Sequence, residues 1–259
     1  MKDQILKVVK IGGKLIEDEE KFQLFLKDFS SLEGPKILVH GGGNAASEMA
    51  ARLGYETKMI DGRRITDSNS LKVIIMTYGG LINKSMVAKL LVLGCNSIGL
   101  CGADGGSIIS TKREVKEIDY GFVGDIAEIN SAFISALLEQ NITPVFSAIS
   151  CTREGELLNT NGDSVAAELA IALSSTYETE LYFCFEKKGV LENASDDDSV
   201  IENLDLKKYK SLLAEKVISD GMLPKLFNCF QALESGVSKI CLGDSTLLQK
   251  NSKHTKILK

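Results

Sequence analysis

Residues 5–14 read Ile5-Leu6-Lys7-Val8-Val9-Lys10-Ile11-Gly12-Gly13-Lys14. A run rich in apolar and β-branched residues stops at two glycines, and Phe22, Phe25, Leu26 and Phe29 follow at helical spacing. The pattern recurs at once. Lys36–His40 reads as a second strand, Gly41-Gly42-Gly43 ends it, and Asn44 stands as an N-cap for a helix through Met49 and Leu53. Strand, glycine turn and helix in alternation describe βαβ units around a mainly parallel sheet. In such sheets ligands bind beyond the carboxyl ends of the strands. Glycines there let backbone N–H groups approach an anion, and a following helix N-terminus favours negative charge. Two such loops, the first bracketed by Lys10 and Lys14, point to phosphate handling rather than to chance turns.

Working outward, Thr57–Ile60 and Arg63–Thr66 flank Asp61-Gly62, a two-residue hairpin signal. A long helical region is expected from Ser68 to Leu93, with Gly79-Gly80 as the place where it would break. Strands are expected at Ser97–Cys101, Thr143–Ile149, Glu180–Phe185 and Lys239–Leu242. Helices are expected at Ser131–Gln140, Asp163–Ser174, Leu206–Glu215 and Pro224–Glu234. Asp196-Asp197-Asp198 reads as an exposed loop, and His254 falls in a basic tail.

Composition removes several function classes. Across 259 residues the net charge is −5, with no block of basic residues, so nucleic-acid and membrane-surface binding gain no support. No apolar run reaches the roughly 18 residues of a membrane span, and the N-terminus lacks the apolar core of a signal peptide. Six cysteines without a C-x-x-C pair read as buried reduced thiols, which implies a cytoplasmic protein without a zinc site. Only two histidines are present, which excludes mechanisms needing a histidine pair in one site with His254 in the tail. Gly79–Ser85 lacks the glycine that a P-loop places before its lysine, here Lys84. Gly41–Ala46 satisfies G-x-G-x-x-A, so a dinucleotide reading stays formally open. The acidic residue it requires, Asp61, is explained by the hairpin turn.

Further motifs stand in a fixed order: KIGGK at Lys10–Lys14, HGGG at His40–Gly43, DGRRIT at Asp61–Thr66 and CGADG at Cys101–Gly105. LLNTNGDSVAAELA at Leu157–Ala170 and SDGMLPKL at Ser219–Leu226 complete the series. Together these resemble the amino-acid kinase family over nearly the whole chain. The resemblance implies a three-layer α/β/α sandwich with an open, mainly parallel sheet. It implies a lobe at 1–175 for the acyl-amino acid and dimerisation, and a nucleotide lobe at 176–259. The branch it points to phosphorylates the side-chain carboxylate of N-acetyl-L-glutamate, or another N-acylglutamate such as N-succinylglutamate, with ATP in arginine biosynthesis. Family kinases acting on carbamate, aspartate or a nucleoside monophosphate are the alternatives, as is a non-catalytic amino-acid sensor.

By the same resemblance, Lys10 and Lys225 are the lysines that neutralise the transferring phosphoryl group, and Asp163 is the carboxylate that orients them. Gly42, Gly43, Arg64 and Asn159 fall to the substrate, Arg64 gripping its α-carboxylate. Gly12 and Gly13, then Glu186, Lys187, Lys188, Gly189, Val190 and Leu191, fall to ATP. So do Val217, Ile218, Ser219, Asp220, Gly221 and Met222. Mg²⁺ is expected to be held mainly through the phosphates, with no metal ligands from the protein. The chain begins directly with its first strand, without the helical extension of arginine-inhibited hexameric relatives, so an arginine-insensitive homodimer is expected.

The residue types suit that chemistry. A carboxylate acceptor, with an unperturbed pKa of about 4.3, is already ionised and needs no general base. The obstacle is bringing an anion up to a triphosphate, which calls for positioning and charge neutralisation. Two ammonium groups ~4 Å apart repel by about 4 kcal/mol at an effective dielectric near 20, and a carboxylate offsets this. Asp163 also has a plain reading as an N-cap, Lys225 as a solvated lysine behind Pro224, and Arg64 as a cross-strand partner. His40 reads as packed at a strand end. Glu186 stands where the family carries an aspartate, and Arg63 is an extra charge beside Arg64.

Overall fold

The computed structural model describes residues 4–60, 62–193, 195–215 and 222–259. In chain order the first elements are β1 (Ile5–Ile11), α1 (Gly13–Glu17), α2 (Glu19–Ser30), β2 (Lys36–His40) and α3 (Gly43–Arg52). Next come β3 (Met59–Ile60), β4 (Arg63–Arg64), α4 (Ser68–Ile74), a π-helical segment Ile75–Ile82, and α5 (Asn83–Val92). After β5 (Ser97–Leu100), a 3-10 turn at Asp104–Gly106, β6 (Ile108–Lys112) and β7 (Gly124–Ile129), α6 spans Ser131–Glu139. Then follow β8 (Thr143–Ser147), β9 (Ile149–Cys151), β10 (Leu157–Asn159), α7 (Gly162–Leu173) and β11 (Glu178–Cys184). The last are β12 (Asn203–Leu204), α8 (Leu206–Ala214), α9 (Leu223–Glu234), β13 (Lys239–Gly243) and β14 (Thr255–Ile257). The architecture is α/β with flanking helices: β1, β11 and β13, and likewise β2, β8 and β5, pair in parallel, whereas β9 with β10, β6 with β7 and β3 with β4 pair antiparallel.

The chain divides into two compact units, Met1–Ile37 with Ala166–Lys259, and Leu38–Val165. In the first, the strand order is β12-β14-β13-β11-β1. β1, β11 and β13 are parallel, with Lys10 opposite Phe183 and Ile11 opposite Cys184. Helix α2 forms where its sequence favours it. Asp18 accepts the Lys21 N–H at 3.2 Å, Glu19 and Glu20 sit in the first turn, and Lys36 Nζ donates to the Ser30 and Leu32 carbonyls at 2.7 Å. Its stripe of Phe22, Phe25, Leu26 and Phe29 is buried, each side chain contributing about 1.5–3 kcal/mol.

The expected basic tail is not a loose end. Thr255–Ile257 pairs antiparallel with β13 and parallel with β12, and Thr255 is fully buried. A three-residue strand is too short to leave a periodicity.

In the second unit, β2, β8 and β5 are parallel neighbours, and β10-β9-β6-β7 form a separate four-stranded sheet. The single strand expected at Thr143–Ile149 is two strands in different sheets. The chain leaves the first at Ala148, whose N–H bonds the His40 carbonyl at 3.0 Å. Nothing in an unbroken apolar run marks such a corner. Gly79-Gly80 does not break the long helical region. It lies inside the π-helical segment, which joins α4 to α5. Asn44 is not the N-cap of α3: the helix starts at Gly43 with Gly42 at the cap. A Cβ on Gly42 would lie 2.3 Å from Ile82 Cδ1 and 3.0 Å from the Tyr78 ring, so the loop rests on the π-helical segment at a distance only glycine permits.

Candidate active site

In the first unit the carboxyl ends of β1 and β11 are stitched together. Gly12 N–H bonds the Cys184 carbonyl at 2.8 Å, and a Gly12 Cβ would stand 3.2 Å from that oxygen. The donor expected from Gly12 for a phosphate is therefore spent within the sheet, and this glycine serves close approach instead. Gly13 opens α1.

Lys10 and Phe183 are register partners on adjacent parallel strands, so their side chains share a face. Lys225, in the first turn of α9, places its Nζ 4.9 Å over the Phe183 ring and 5.7 Å from the centre of Phe185. Two lysines 215 positions apart thus meet around one aromatic residue. Burial pushes the Cys184 thiol well up, the charge of Asp244 adds to this, and the charges of Lys10 and Lys225 pull it back in part.

Glu186 lies just beyond β11, and its Oε1 accepts from Lys14 Nζ at 2.7 Å. Partial burial alone would raise the Glu186 carboxyl. The Lys14 hydrogen bond, helped by backbone and by the charges of Lys14 and Lys225, outweighs it and holds the group below its ordinary value. Lys187 and Lys188 pair with Asp197 and Asp198 at 2.7 and 2.6 Å, so the exposed acidic loop clamps this segment. Gly189 passes so close to Thr255 that a Cβ would lie 2.5 Å from its Oγ1. The same oxygen accepts the Val190 N–H at 2.8 Å, and Leu191 bridges Val200. Met222 precedes α9. Val217, Ile218, Ser219, Asp220 and Gly221 lie outside the described residues.

The second unit assembles the other expected residues. Arg64, half-buried, donates from Nη2 to the Gly43 carbonyl at 2.8 Å and to Ser47 Oγ at 2.7 Å, and from Nη1 to Thr57 Oγ1 at 3.1 Å. It is aimed at the HGGG loop rather than at a cross-strand partner. Gly43 is thus gripped by Arg64 and by the Ser47 hydroxyl, which donates to its carbonyl at 3.1 Å. Asn159 donates to Thr66 Oγ1 at 3.0 Å, tying β10 to the residue that follows the hairpin. Arg63 is exposed.

His40 is packed, as expected. Its Nδ1 sits 2.8 Å from the Gly41 carbonyl and its Nε2 3.0 Å from Asn83 Nδ2. Asn83 Nδ2 also donates to the Val145 carbonyl, so Nε2 accepts and Nδ1–H donates. Asp163 does not cap α7. Asn161 Oδ1 accepts the N–H groups of Asp163 and Ser164 at 2.8 and 3.0 Å, which leaves the Asp163 carboxylate outside the cap.

Sequence reasoning passed over Ser47 and Tyr78. Ser47 is four residues beyond Gly43, one helical turn, which a search for loop-facing hydroxyls would have found. Tyr78 lies under the glycines only because of the π-helical segment, and no local pattern announces it. Among the described residues no group of three or more His, Cys, Asp or Glu converges as metal ligands would.

Residues 6–244 match the model of the amino acid kinase family. The chain belongs to this family. It is 48% identical over 247 residues to the acetylglutamate kinase of Phocaeicola vulgatus, covering 95% of this chain and 96% of that one. Among solved structures it is similar to smu.665 from Streptococcus mutans, with a TM-score of 0.78 and 26% identity over 99% of both chains. A carbamate kinase from Giardia lamblia bound to AMP-PNP shares the family's fold, with a TM-score of 0.69 at 15% identity over the full length of both.

Proposed function

We propose that this amino acid kinase transfers the γ-phosphoryl group of ATP to the side-chain carboxylate of N-acetyl-L-glutamate, giving an acyl phosphate in arginine biosynthesis. The observation that carries the reading is the meeting of Lys10 and Lys225 at Phe183. A carboxylate acceptor needs no base, so the chemical demand falls on positive charge, and these are cations gathered from opposite ends of the chain. The aromatic faces of Phe183 and Phe185 limit where the Lys225 ammonium points.

Lys10, Lys225 and Asp163 are the proposed catalytic residues. The capping of α7 by Asn161 supports a role for Asp163 other than in its helix. Gly42, Gly43, Arg64 and Asn159 are proposed to hold the acyl-amino acid, and the 186–191 segment with Gly12, Gly13 and 217–222 the nucleotide, Gly12 through the close approach it allows rather than as a hydrogen-bond donor. The corresponding division of labour is a lobe at 1–175 and a lobe at 176–259. Mg²⁺ would be held by phosphate oxygens and would offset their charge. Lysines and backbone groups suit the phosphates, not the ion, as ligands. We place the enzyme in the cytoplasm as a homodimer. Exposed Met76, Leu81, Leu91, Val92 and Ile98 on the second unit's long helical region and edge strand β5 support the dimer.

A coupled ADP-release assay across N-acetyl-L-glutamate, N-succinyl-L-glutamate, carbamate, L-aspartate and UMP tests this. Turnover with the acetylated substrate is expected, and turnover confined to one of the last three would sink the reading. Lys10→Ala and Lys225→Ala should each lower turnover at least ~10²-fold with the fold intact by circular dichroism.

A further inference from the structure

Lys14 belongs to neither lysine role above, yet its side chain reaches 172 positions along the chain to Glu186. Both partners are largely exposed, at 66% and 46% of their side-chain surface. Exposed pairs of this kind add little to stability. The pair is thus poorly explained as a fastening of the fold, and the Gly12–Cys184 bond already joins the same two strand ends.

Its surroundings suggest another use. Glu186 also lies in the field of Lys225, and Cys184, two residues earlier, in the fields of Lys10 and Lys225. Lys10 and Lys14 from the β1–α1 stretch and Lys225 from α9 thus all reach residues at the end of β11, Lys10 and Lys225 at Phe183 and Lys14 at Glu186. A weak, solvated ion pair can be exchanged for a polyanion at small cost. We propose that Lys14 is a further nucleotide-binding residue, held ready by Glu186 and contributing its ammonium group to the phosphates of bound ATP. This rests on the phosphotransfer reading above and adds to it a further cation for the nucleotide alone.

The experiment compares wild type, Lys14→Met and Lys14→Arg as full-length enzymes. Steady-state kinetics are run in both substrates, and calorimetric titrations with MgAMP-PNP and with adenosine. Lys14→Met is expected to raise the ATP KM and the MgAMP-PNP Kd about tenfold. The N-acetyl-L-glutamate KM and the adenosine Kd should move less than twofold, and Lys14→Arg should recover most of the loss. An unchanged MgAMP-PNP Kd overturns the proposal, as does equal weakening of adenosine, which would mean a distorted pocket rather than a lost phosphate contact. Absence of wild-type turnover with N-acylglutamates would instead strike the functional reading and leave the titrations to decide on Lys14.

Discussion

Arg64 is fastened at the Gly43 carbonyl, Ser47 and Thr57 by two different guanidinium nitrogens. Lysine cannot reproduce that fork. Arg64→Lys should therefore raise the N-acetyl-L-glutamate KM about tenfold, some 1.4 kcal/mol, while the ATP KM stays put. If both KM values rise together, Arg64 is a scaffold residue and not a substrate ligand. His40 offers a test by pH. Burial holds its imidazole down to about 4, the Gly41 hydrogen bond opposes this, and the charge of Lys84 assists it. In the unfolded chain the same ring titrates near 6.5. Above that pH it contributes nothing to stability. As pH falls from about 6.5 towards 4 the unfolded chain takes up a proton that the fold refuses, so stability is lost, roughly 2 kcal/mol by pH 5. Urea melts at pH 7.5 and 5 should show this loss in wild type and a smaller one in His40→Asn. Equal losses would contradict it. The packed state of His40 was legible from an apolar strand, but its partner Asn83 was not, because that contact spans 43 residues and two elements.

Among elements, the glycines separate by what surrounds them. A methyl group at Gly42 would press on Ile82 and Tyr78, both buried, whereas at Gly80 it would meet nothing. Gly42→Ala should lower stability by about 1–3 kcal/mol through overpacking. Gly80→Ala, on the π-helical segment, should be neutral or gain up to ~1 kcal/mol from helix propensity. Denaturant midpoints for the two variants check the contrast, and a stable Gly42→Ala would mean that the loop does not rest on the helix as described. Strong local signals read well at this scale. β1 and β2 have the boundaries their apolar runs imply, and α2 buries the four residues its spacing singled out. In the sheet β10-β9-β6-β7, Ile149–Cys151 and Leu157–Asn159 were missed because they are three-residue strands set by pairing rather than by alternation.

For the whole molecule, the exposed apolar side chains of the second unit make assembly the property to measure. Leu91 and Val92 are 70% and 87% exposed, more than a surface helix gains from keeping in water. Sedimentation should give about twice the 28.1 kDa chain mass, and Leu91→Asp with Val92→Asp should shift it to the monomer without unfolding. A monomeric wild type would refute the dimer. Strand-glycine-helix order and the family motifs were determined by the sequence itself, because each depends on neighbours within a few positions, and the carboxylate acceptor was what the resemblance carried by those motifs implied. The meeting of Lys225 with Phe183, opposite Lys10, and of Lys14 with Glu186 was decided only by the tertiary structure. So was the capping of α7 by Asn161 rather than Asp163. Strand register and helix placement bring such groups within a few ångströms, and both follow from burial summed over the whole unit rather than from any local pattern.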